Sequence, residues 1–464
     1  MRQLSRQPVV HKAHMHRLSI RRTLRKLLSP EFVREVARGT GACARHRKVD
    51  PFALVWTLML GSMSGRVRRL SHLRRLLQRV TGVTLQESSF YERLSPKLSA
   101  MLSVLLEHVL QHCWGVGRAA RGRLAEFADI MVTDSTVVRL HHLLAGAFPG
   151  TRTHQGGAAL KAHVVFAVTG AGKQTVKLTS ERKSDRRTFQ LGPWVRGKLL
   201  LVDLGYFDYR LLTRIDELGG YFIIRAKKSI DPIIVDRLRV HRGRSVPVIG
   251  ERLHSIIDKL HRSVLDVQVA LDVRRRSYRG KRRTAQAFFR AVGVRDDARR
   301  DYHVYLTNIA PEQLEPKDIA STYALRWEVE LLFREIKTYH RLAQLPSSKP
   351  HIVEALVKAS LLCVAANRTL LHSLKRALGE HLAERVPHQR WAALVATCAE
   401  DFLLCVVADR ASRNAENDIE RMLLHEAIDP NNRTRLLHAV EQGTHHYGPR
   451  RFHPGHRNSP ARAA

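Results

Sequence analysis

The hydrophobic pattern of this chain changes twice, and each change limits the fold. Short amphipathic helical segments fill residues 31–112, strand-like runs dominate residues 124–228, and helical periodicity returns from Lys317 to about residue 440. A strand-rich centre between helical flanks excludes an all-helical or an all-β protein. It predicts an α/β (α+β) fold, in which helices cover a mixed sheet. The 464 residues are enough for several domains.

The central region predicts a sheet with both antiparallel and parallel strands. Three β-branched or alternating runs come first, and a short, nearly all-apolar run, typical of a strand buried on both faces, follows them. A helix and a further strand complete a β-β-β, then β-α-β order. The predicted elements are the strands Ile130–Val138, Leu160–Val168, Gln174–Thr179 and Lys198–Asp203, the helix Asp208–Glu217 and the strand Tyr221–Arg225.

Residues 229–317 are predicted to be a β-rich insertion, with strands at Val264–Val273, Ala285–Val294 and Tyr302–Thr307. Between the first two strands, seven of the ten residues 274–283 are Arg or Lys. Such like charges repel each other, and a phosphate backbone would relieve that repulsion. The sequence therefore predicts a basic hairpin that binds nucleic acid, although a solvated turn remains the alternative.

The charge of the whole chain points in the same direction. Lys and Arg number 79 against 42 Asp and Glu, for a net charge of +37. A polyanion such as nucleic acid would neutralise this field, although a basic host proteome, ribosomal association or general adhesion to polyanions stays open. Residues 1–30 contain eight Lys or Arg and no acid, which predicts a poorly ordered basic arm. Residues 441–464 are predicted to be a disordered tail.

The helical region 31–112 is predicted to be a compact DNA-binding domain of the helix-turn-helix kind, with a helical bundle that binds no DNA as the alternative. Glycine-containing breaks separate its segments. The predicted helices are Phe52–Met63, Leu70–Val80, Gln86–Leu94 and Leu98–Leu110. The polar side chains available to a DNA groove are Gln86, Ser88, Ser89, Tyr91 and Arg93.

Several classes of protein and site are disfavoured. The five cysteines are scattered and never spaced as CxxC, which argues against a disulfide framework or a cysteine zinc site. No apolar run reaches the roughly 18 residues of a membrane span, and the N-terminus lacks a secretory signal pattern. Gly170–Gln174 imitates a phosphate-binding loop but fails that pattern at both ends. A cytoplasmic, nucleoid-associated protein without membrane contact is predicted.

The segment from Tyr323 to Lys337 carries the most chemical information. On one ideal helix, Arg326, Glu330 and Lys337 follow Tyr323 by three, seven and fourteen positions and share one stripe with it. An apolar stripe beside it would pack on a sheet. Three phosphate-binding side chains next to one carboxylate suit a metal-assisted phosphodiester site.

Two aspartates earlier in the chain are predicted partners of Glu330. Asp134 lies within a strand, and Asp203 ends another. A carboxylate in an apolar strand is costly unless it is paired or binds a cation. Taken singly, the three carboxylates also have structural readings as a turn cap, a strand-end residue and an exposed helix residue. Together they could hold two Mg²⁺ ions, or Mn²⁺, through oxygen ligands.

These motifs resemble those of a known family. Tyr323-x2-Arg326-x3-Glu330-x6-Lys337 is similar to the Y-x2-R-x3-E-x6-K motif of bacterial DDE transposases of insertion-sequence family four. Asp134-Ser-Thr and Asp203-x-Gly-Tyr resemble that family's two aspartate motifs. The resemblance implies a ribonuclease-H-like catalytic domain in two parts, 124–228 and 318–375, separated by the insertion and followed by a helical region at 376–440.

The resemblance also implies roles for individual residues. Asp134, Asp203 and Glu330 would be the catalytic residues and the ligands of two Mg²⁺ ions, while Tyr323, Arg326 and Lys337 would contact phosphates of the transposon end. Some family members flip a base onto a tryptophan of the insertion. No Trp lies between Trp194 and Trp327 here, so Tyr278 or Phe288 would have to substitute. The full predicted DNA-binding set is Tyr323, Arg326, Lys337, Arg225, Arg275, Arg276 and Arg282.

The implied activity is that of an insertion-sequence transposase. It would bind terminal inverted repeats, cut the DNA through a hairpin if the family pattern holds, and join the 3′-OH ends to target DNA as a homodimer. Two alternatives stay open: a non-cutting DNA-binding or domesticated protein of the same fold, and a nuclease that hydrolyses DNA without joining it. An intact acidic triad argues against the first of these.

Overall fold

A mixed sheet of nine strands organises the chain. The computed structural model describes residues 19–443 apart from 44–47, 65–68, 113–119, 152–156, 170–173, 240–246, 279–280, 297–300, 343–344, 409–412 and 431–435. The strands are β1 (Ile130–Arg139), β2 (Ala159–Ala167), β3 (Thr175–Ser180), β4 (Leu199–Val202), β5 (Tyr221–Arg225), β6 (Ile233–Arg237), β7 (Val264–Tyr278), β8 (Lys281–Asp296) and β9 (Asp301–Thr307). Their order across the sheet is β3-β2-β1-β4-β5-β9-β8-β7-β6.

The first five strands have the ribonuclease-H-like arrangement, which confirms the predicted fold class. β1 pairs antiparallel with β2, and β2 with β3, whereas β4 runs parallel to both β1 and β5. The register places Thr133 of β1 opposite Val202 of β4. The next residues along the two strands, Asp134 and Asp203, are therefore neighbours.

The insertion extends this sheet and does not form a separate body. β9 pairs antiparallel with β5, and β8, β7 and β6 continue outward from it. The three strands predicted here are present; β7 and β8 run further toward the hairpin tip than expected, and β6 was not predicted. For the basic tip, only the backbone is described, and for residues 279–280 not even that.

The described part of the chain contains sixteen α-helices. All four helices predicted between residues 31 and 112 are present, with shifts of a few residues at their ends. The helices are α1 (Ile20–Leu27), α2 (Pro30–Gly39), α3 (Pro51–Leu60), α4 (Leu70–Thr81), α5 (Glu87–Arg93), α6 (Pro96–His112), α7 (Asp185–Thr188), α8 (Tyr209–Glu217), α9 (Leu253–Ile257), α10 (Pro316–Tyr323), α11 (Trp327–Tyr339), α12 (Pro350–Ala383), α13 (His388–Thr397), α14 (Ala399–Val407), α15 (Arg413–Glu426) and α16 (Leu436–Glu441).

The N-terminal and C-terminal helices form one body around α12, which is interrupted at Gly379 (φ 76°). α1, α3 and α6 pack on α12, and α14 packs on α1, α3 and α4. The predicted boundary between 375 and 376 therefore falls inside a helix. The segment Pro350–Gly379 is long and apolar enough to cross a membrane by length and composition, but 78% of its most apolar window is buried inside the protein. It is a core helix of this body.

The prediction of a poorly ordered basic arm at residues 1–30 is wrong for the last third of that segment, where α1 lies. Ile20, Leu24 and Leu27 recur at helical spacing and are buried in α1, so their apolar stripe outweighs the basic composition. The rest of the arm, residues 1–18, lies outside the described residues. The same holds for residues 444–464, which are nearly all of the predicted tail, and for residues 170–173 of the phosphate-loop-like segment. No disulfide joins the described cysteines.

The core lies on both faces of the sheet, and β4 contributes to both. Leu199 and Leu201 pack in the larger apolar cluster, which includes α11 and the helical body, while Leu200 and Val202 pack in a second cluster with α8 and the insertion. Because all four residues are buried, this strand has the burial on both faces that its sequence predicted. Asp203 follows at the point where the strand leaves the core.

Candidate active site

Three elements bring the predicted carboxylates to one place. Asp134 is the fifth residue of β1, Asp203 directly follows β4, and Glu330 lies on α11, which packs over β1. They line a shallow cavity of about 480 Å³. The lining residues are Asp134, Ser135, Thr136, Asp203, Arg326, Glu330, Phe333, Arg334 and Lys337.

The guanidinium group of Arg326 lies at the centre of these carboxylates. Its Nη1 is 3.4 Å from Asp134 Oδ2 and 3.5 Å from Asp203 Oδ1, and its Nη2 donates to Glu330 Oε1 at 2.6 Å. The two aspartate oxygens share one nitrogen, so they are no further apart than the sum of the first two distances. The structure thus brings the three predicted residues together, around a cation from their own motif.

The local charge is strongly unbalanced. Burial raises the pKa of Asp134 to about 6, and the negative charges of Asp203 and Glu330 add to this effect, against a hydrogen bond from the Ser135 amide and the charge of Arg326. Burial alone would lower the pKa of Arg326, but the neighbouring Tyr323 and the carboxylates of Glu330 and Asp203 raise it. Three carboxylates facing one guanidinium group attract a further cation.

The donor set fits a hard divalent ion. Carboxylate oxygens are the ligands that Mg²⁺ prefers, and Mg²⁺ commonly uses one or two protein carboxylates while keeping several waters. Within the described ranges, no three His, Cys, Asp or Glu side chains are close enough together to form a single metal cage. Three neighbouring carboxylates could therefore hold more than one such ion, each through one or two of them.

Tyr323 does not share one continuous helix with Glu330, which corrects the predicted geometry. α10 ends at Tyr323, and a 3₁₀ turn, Ala324–Arg326, precedes α11. A 3₁₀ turn has about three residues per turn and rotates the stripe away from the ideal helical positions. The Tyr323 hydroxyl donates to the carbonyl of Val202 at 3.2 Å, and burial raises its pKa to about 12. Tyr323 thus contacts the strand that delivers Asp203.

Lys337 and Arg334 form a cationic wall of the cavity. Lys337 has no ion-pair partner among the described residues, and burial lowers its pKa while the charge of Asp134 opposes that change. Arg334 was not predicted; its guanidinium carbon lies 5.7 Å from the centroid of the Trp327 ring. The sequence did hold a signal for it, since Arg334 is four residues after Glu330 and so shares its helix face.

The other predicted DNA-binding residues lie outside the cavity or outside the described side chains. Arg225 ends β5 at the same sheet edge as Asp203, and its Nη2 is 2.6 Å from His303 Nδ1. Nothing is described of the side chains of Arg275, Arg276 and Arg282. On α5, Tyr91 is exposed while Phe90 anchors the helix in the core. The neighbouring Gln86 and Ser88 are exposed, and Ser89 and Arg93 are half-buried.

Comparisons with known proteins identify the family of this chain. The sequence model of the family described as "Transposase DDE domain" matches residues 125–365. The chain is 22% identical over 410 residues to the transposase for insertion sequence element IS231F of Bacillus thuringiensis subsp. israelensis, covering 78% of this chain and 83% of that protein. It is 19% identical over 281 residues to the transposase for insertion sequence element IS1151 of Clostridium perfringens, covering 54% and 58%.

Among solved structures, the piggyBac transposase synaptic complex with hairpin DNA matches with a TM-score of 0.44 and 9% identity, over 92% of this chain and 88% of that one. The strand order and the acidic cluster of this chain define a ribonuclease-H-like protein of the DDE class. The chain belongs to the DDE transposase family, because the family match spans more than half of it, from just before β1 into α12. Domains of this family generally use divalent metal ions.

Proposed function

We propose that this protein is the transposase of a bacterial insertion sequence. It binds the terminal inverted repeats of its element, cuts the DNA there and joins the 3′-OH ends to target DNA by metal-dependent phosphoryl transfer. The observation that carries this proposal is the meeting of Asp134, Asp203 and Glu330 on the guanidinium group of Arg326. The family match and the names of the transposase relatives support it.

In this mechanism, the protein residues arrange charge around the scissile phosphodiester. Asp134, Asp203 and Glu330 would hold two Mg²⁺ or Mn²⁺ ions, which would supply an activated water and stabilise the leaving 3′ oxygen. Arg326 restrains all three carboxylates in the absence of the ions. Lys337 and Arg334, on the neighbouring turns of α11, bind the phosphate, where a lysine acts as a point charge and an arginine as a two-pronged donor.

The DNA path extends beyond the cavity in this proposal. Arg225 extends the DNA-binding surface along the sheet edge from Asp203. The basic hairpin with Arg275, Arg276 and Arg282 contacts the DNA backbone. The exposed face of α5 enters a DNA groove. Phe288 on β8 is 53% exposed, so it is available to stack on a flipped base. Tyr278, whose side chain lies outside the described part of the chain, is the other candidate for that role. Synapsis of two ends in a homodimer, cleavage through a hairpin and association with the nucleoid belong to the same proposal.

The experiment compares two Asp-to-Asn variants five residues apart. Asp203→Asn removes a charge at the cavity. Asp208→Asn is the control: Asp208 caps α8 and pairs with the exposed Arg186, and asparagine caps helices equally well. Asp203→Asn is expected to bind end DNA with nearly the wild-type affinity and to lose cleavage by roughly a hundredfold or more. Asp208→Asn is expected to cut at the wild-type rate.

Each alternative has its own outcome in this assay. Cleavage by Asp203→Asn at a near wild-type rate would show that Asp203 is not a metal ligand. A wild-type protein that binds end DNA without cutting it in Mg²⁺ or Mn²⁺ would be the non-cutting protein. Cutting without joining of the 3′-OH to a target duplex would identify a nuclease.

A further inference from the structure

A fourth carboxylate lies beside the cavity, on the opposite face of the sheet from α11. Asp185 is the first residue of α7, and its Oδ1 is 3.2 Å from Nδ1 of His163 while its Oδ2 is 3.4 Å from Nζ of Lys161. Both partners project from the same face of β2, because they are two positions apart. His163 is the register partner of Ser135 on β1, the residue that follows Asp134.

Asp185 lies next to the residues that hold the two aspartates of the cavity. The amide of Ser135 donates to Asp134 Oδ1 at 2.7 Å, and the amide of Gly205 donates to Asp203 Oδ2 at 2.9 Å. Ser135 pairs with His163 across β1 and β2, so its side chain lies on the same face of the sheet as His163, which contacts Asp185. On the other side, a Cβ added to Gly205 would lie 3.8 Å from Asp185 Oδ2 and 3.3 Å from Asp203 Oδ2.

The charge balance around Asp185 is the reverse of that in the cavity. Burial alone would raise the pKa of Asp185, but His163, Ser135 and Lys161 together lower it. The three side chains Asp185, Lys161 and His163 are mostly buried, at 22%, 12% and 7% exposure. One carboxylate beside the ammonium group of Lys161 has its charge compensated locally, so it attracts a further cation less strongly than the cavity does.

We propose that Asp185 is a positioning residue for phosphoryl transfer at this site. It restrains Ser135 and Gly205 from behind, and through their amides it fixes the directions of the Asp134 and Asp203 carboxylates. The ammonium group of Lys161 on β2 is its counter-charge and keeps it out of the set of metal ligands. This inference rests on the proposed function, because it concerns the same site. The sequence around it, Ser184-Asp185-Arg186-Arg187, resembles an ordinary solvated charged turn, so only the structure reveals the contacts.

The test uses the full-length Asp185→Asn variant beside wild type, Asp203→Asn and the control Asp208→Asn. Three quantities are measured: the affinity for end DNA without metal, the rise in melting temperature of the DNA-free protein with increasing Mn²⁺, and the single-turnover cleavage rate. Asp185→Asn is expected to bind DNA within about twofold of wild type and to cut 10–100-fold more slowly, the usual cost of losing a residue that orients metal ligands. It is also expected to need about tenfold more Mn²⁺ for the half-maximal thermal shift. Asp208→Asn should match wild type in all three.

Ser135→Ala provides a second variant if Asp185→Asn does not fold. It removes the hydroxyl on the sheet face that Asp185 and His163 occupy and keeps the amide that holds Asp134, so a smaller change in the same direction is expected. Wild-type cleavage and Mn²⁺ response in Asp185→Asn would overturn the positioning role. A loss of the Mn²⁺ response as complete as that of Asp203→Asn would overturn it in the other direction, by making Asp185 a ligand. If wild type itself does not cut, the proposed function fails, while the Mn²⁺ titration still measures the restraint on the aspartates.

Discussion

Two glutamates of helix α11 pair with arginines from outside the helix, and the two pairs differ in their surroundings. Glu330 accepts from Arg326 at 2.6 Å, and these side chains are 32% and 20% exposed. Glu335, little more than a helical turn later, accepts from Arg368 of α12 at 2.9 Å, and these side chains are only 3% and 9% exposed. The first pair shares its guanidinium group with two aspartates, whereas the second pair has no other charged carboxylate in contact among the described residues.

The second pair is satisfied and fixes the helix. The remaining oxygen of Glu335 accepts from Nδ2 of Asn367 at 2.8 Å, and Arg368 also contacts His388. Burial raises the pKa of Glu335, and Arg368 and Asn367 oppose that effect. A balanced, hydrogen-bonded pair holds α11 against α12, whereas an unbalanced cluster attracts an external cation. Charge balance, more than burial, therefore distinguishes the Glu335–Arg368 pair from the Glu330–Arg326 pair.

The largest expected effect on stability comes from breaking the balanced pair. Glu335→Ala leaves the buried Arg368 without a counter-charge, which should cost about 3–5 kcal/mol of unfolding free energy. Glu330→Ala, the matched change on the same helix, should cost less than about 1 kcal/mol, because its pair is partly exposed and faces excess negative charge. Urea denaturation of both variants measures the difference. Equal losses of unfolding free energy in the two variants would show that charge balance does not distinguish the two pairs.

Neutralising the unbalanced cluster should instead stabilise the metal-free protein. The pKa of Asp134 is raised to about 6, above its unfolded value near 3.9. Such a group contributes stability below about pH 4, and that contribution is lost as the pH rises through about 6. Asp134→Asn should therefore gain about 1–3 kcal/mol at pH 8 and little at pH 4.

Thermal unfolding in EDTA at pH 8 and at pH 4 measures this gain. Asp208→Asn, which lies outside the cavity, is the control. Its effect on stability should be the same at both pH values. A gain for Asp134→Asn that is the same at both pH values would mean that charge repulsion in the cluster is not its cause.

The elements with strong local patterns could be predicted from the sequence. β5 was predicted at its observed bounds, and β1 and β4 within two residues, because alternating or fully apolar runs report burial directly. The meeting of Asp134 and Asp203 followed from their motifs and is explained by the parallel register of β1 and β4. The Arg326–Glu330 pair joins positions four apart in the sequence, a spacing that commonly brings helical side chains together, whereas Glu335 pairs with the distant Arg368.

The remaining features depend on contacts between distant segments. The insertion joins the sheet through pairing of Ile223 with Thr307, which no local pattern encodes. The 3₁₀ turn after Tyr323 interrupts a sequence whose apolar spacing suits one unbroken helix. α1 has too few apolar residues to stand out from its basic surroundings, and only the packing against α12 and α14 buries them. Asp185 has no local signal, because its partners come from β2.

The smallest expected effect is a difference in salt dependence between two cations of the site, Lys337 on α11 and Arg326 in the 3₁₀ turn before it. Lys337 has no ion-pair partner among the described residues, so a phosphate would be its counter-charge, whereas Arg326 already contacts three carboxylates. Lys337→Ala should flatten the dependence of end-DNA affinity on salt by about one unit of log–log slope. Arg326→Ala should flatten it less, because the carboxylates compensate most of its charge, and should lower the melting temperature instead.

Fluorescence anisotropy of labelled end DNA over a range of NaCl concentrations, without divalent metal, gives both slopes. Arg421→Ala serves as the control, since Arg421 is exposed on α15 and pairs with Asp418. Equal slopes in wild type and Lys337→Ala would remove Lys337 from the phosphate contacts. A full unit lost in Arg326→Ala would show that Arg326 leaves the carboxylates when DNA binds. The Arg326–Glu330 pair would then break on DNA binding while the Glu335–Arg368 pair stays intact. Charge balance would thus predict which of the two ion pairs breaks when DNA binds.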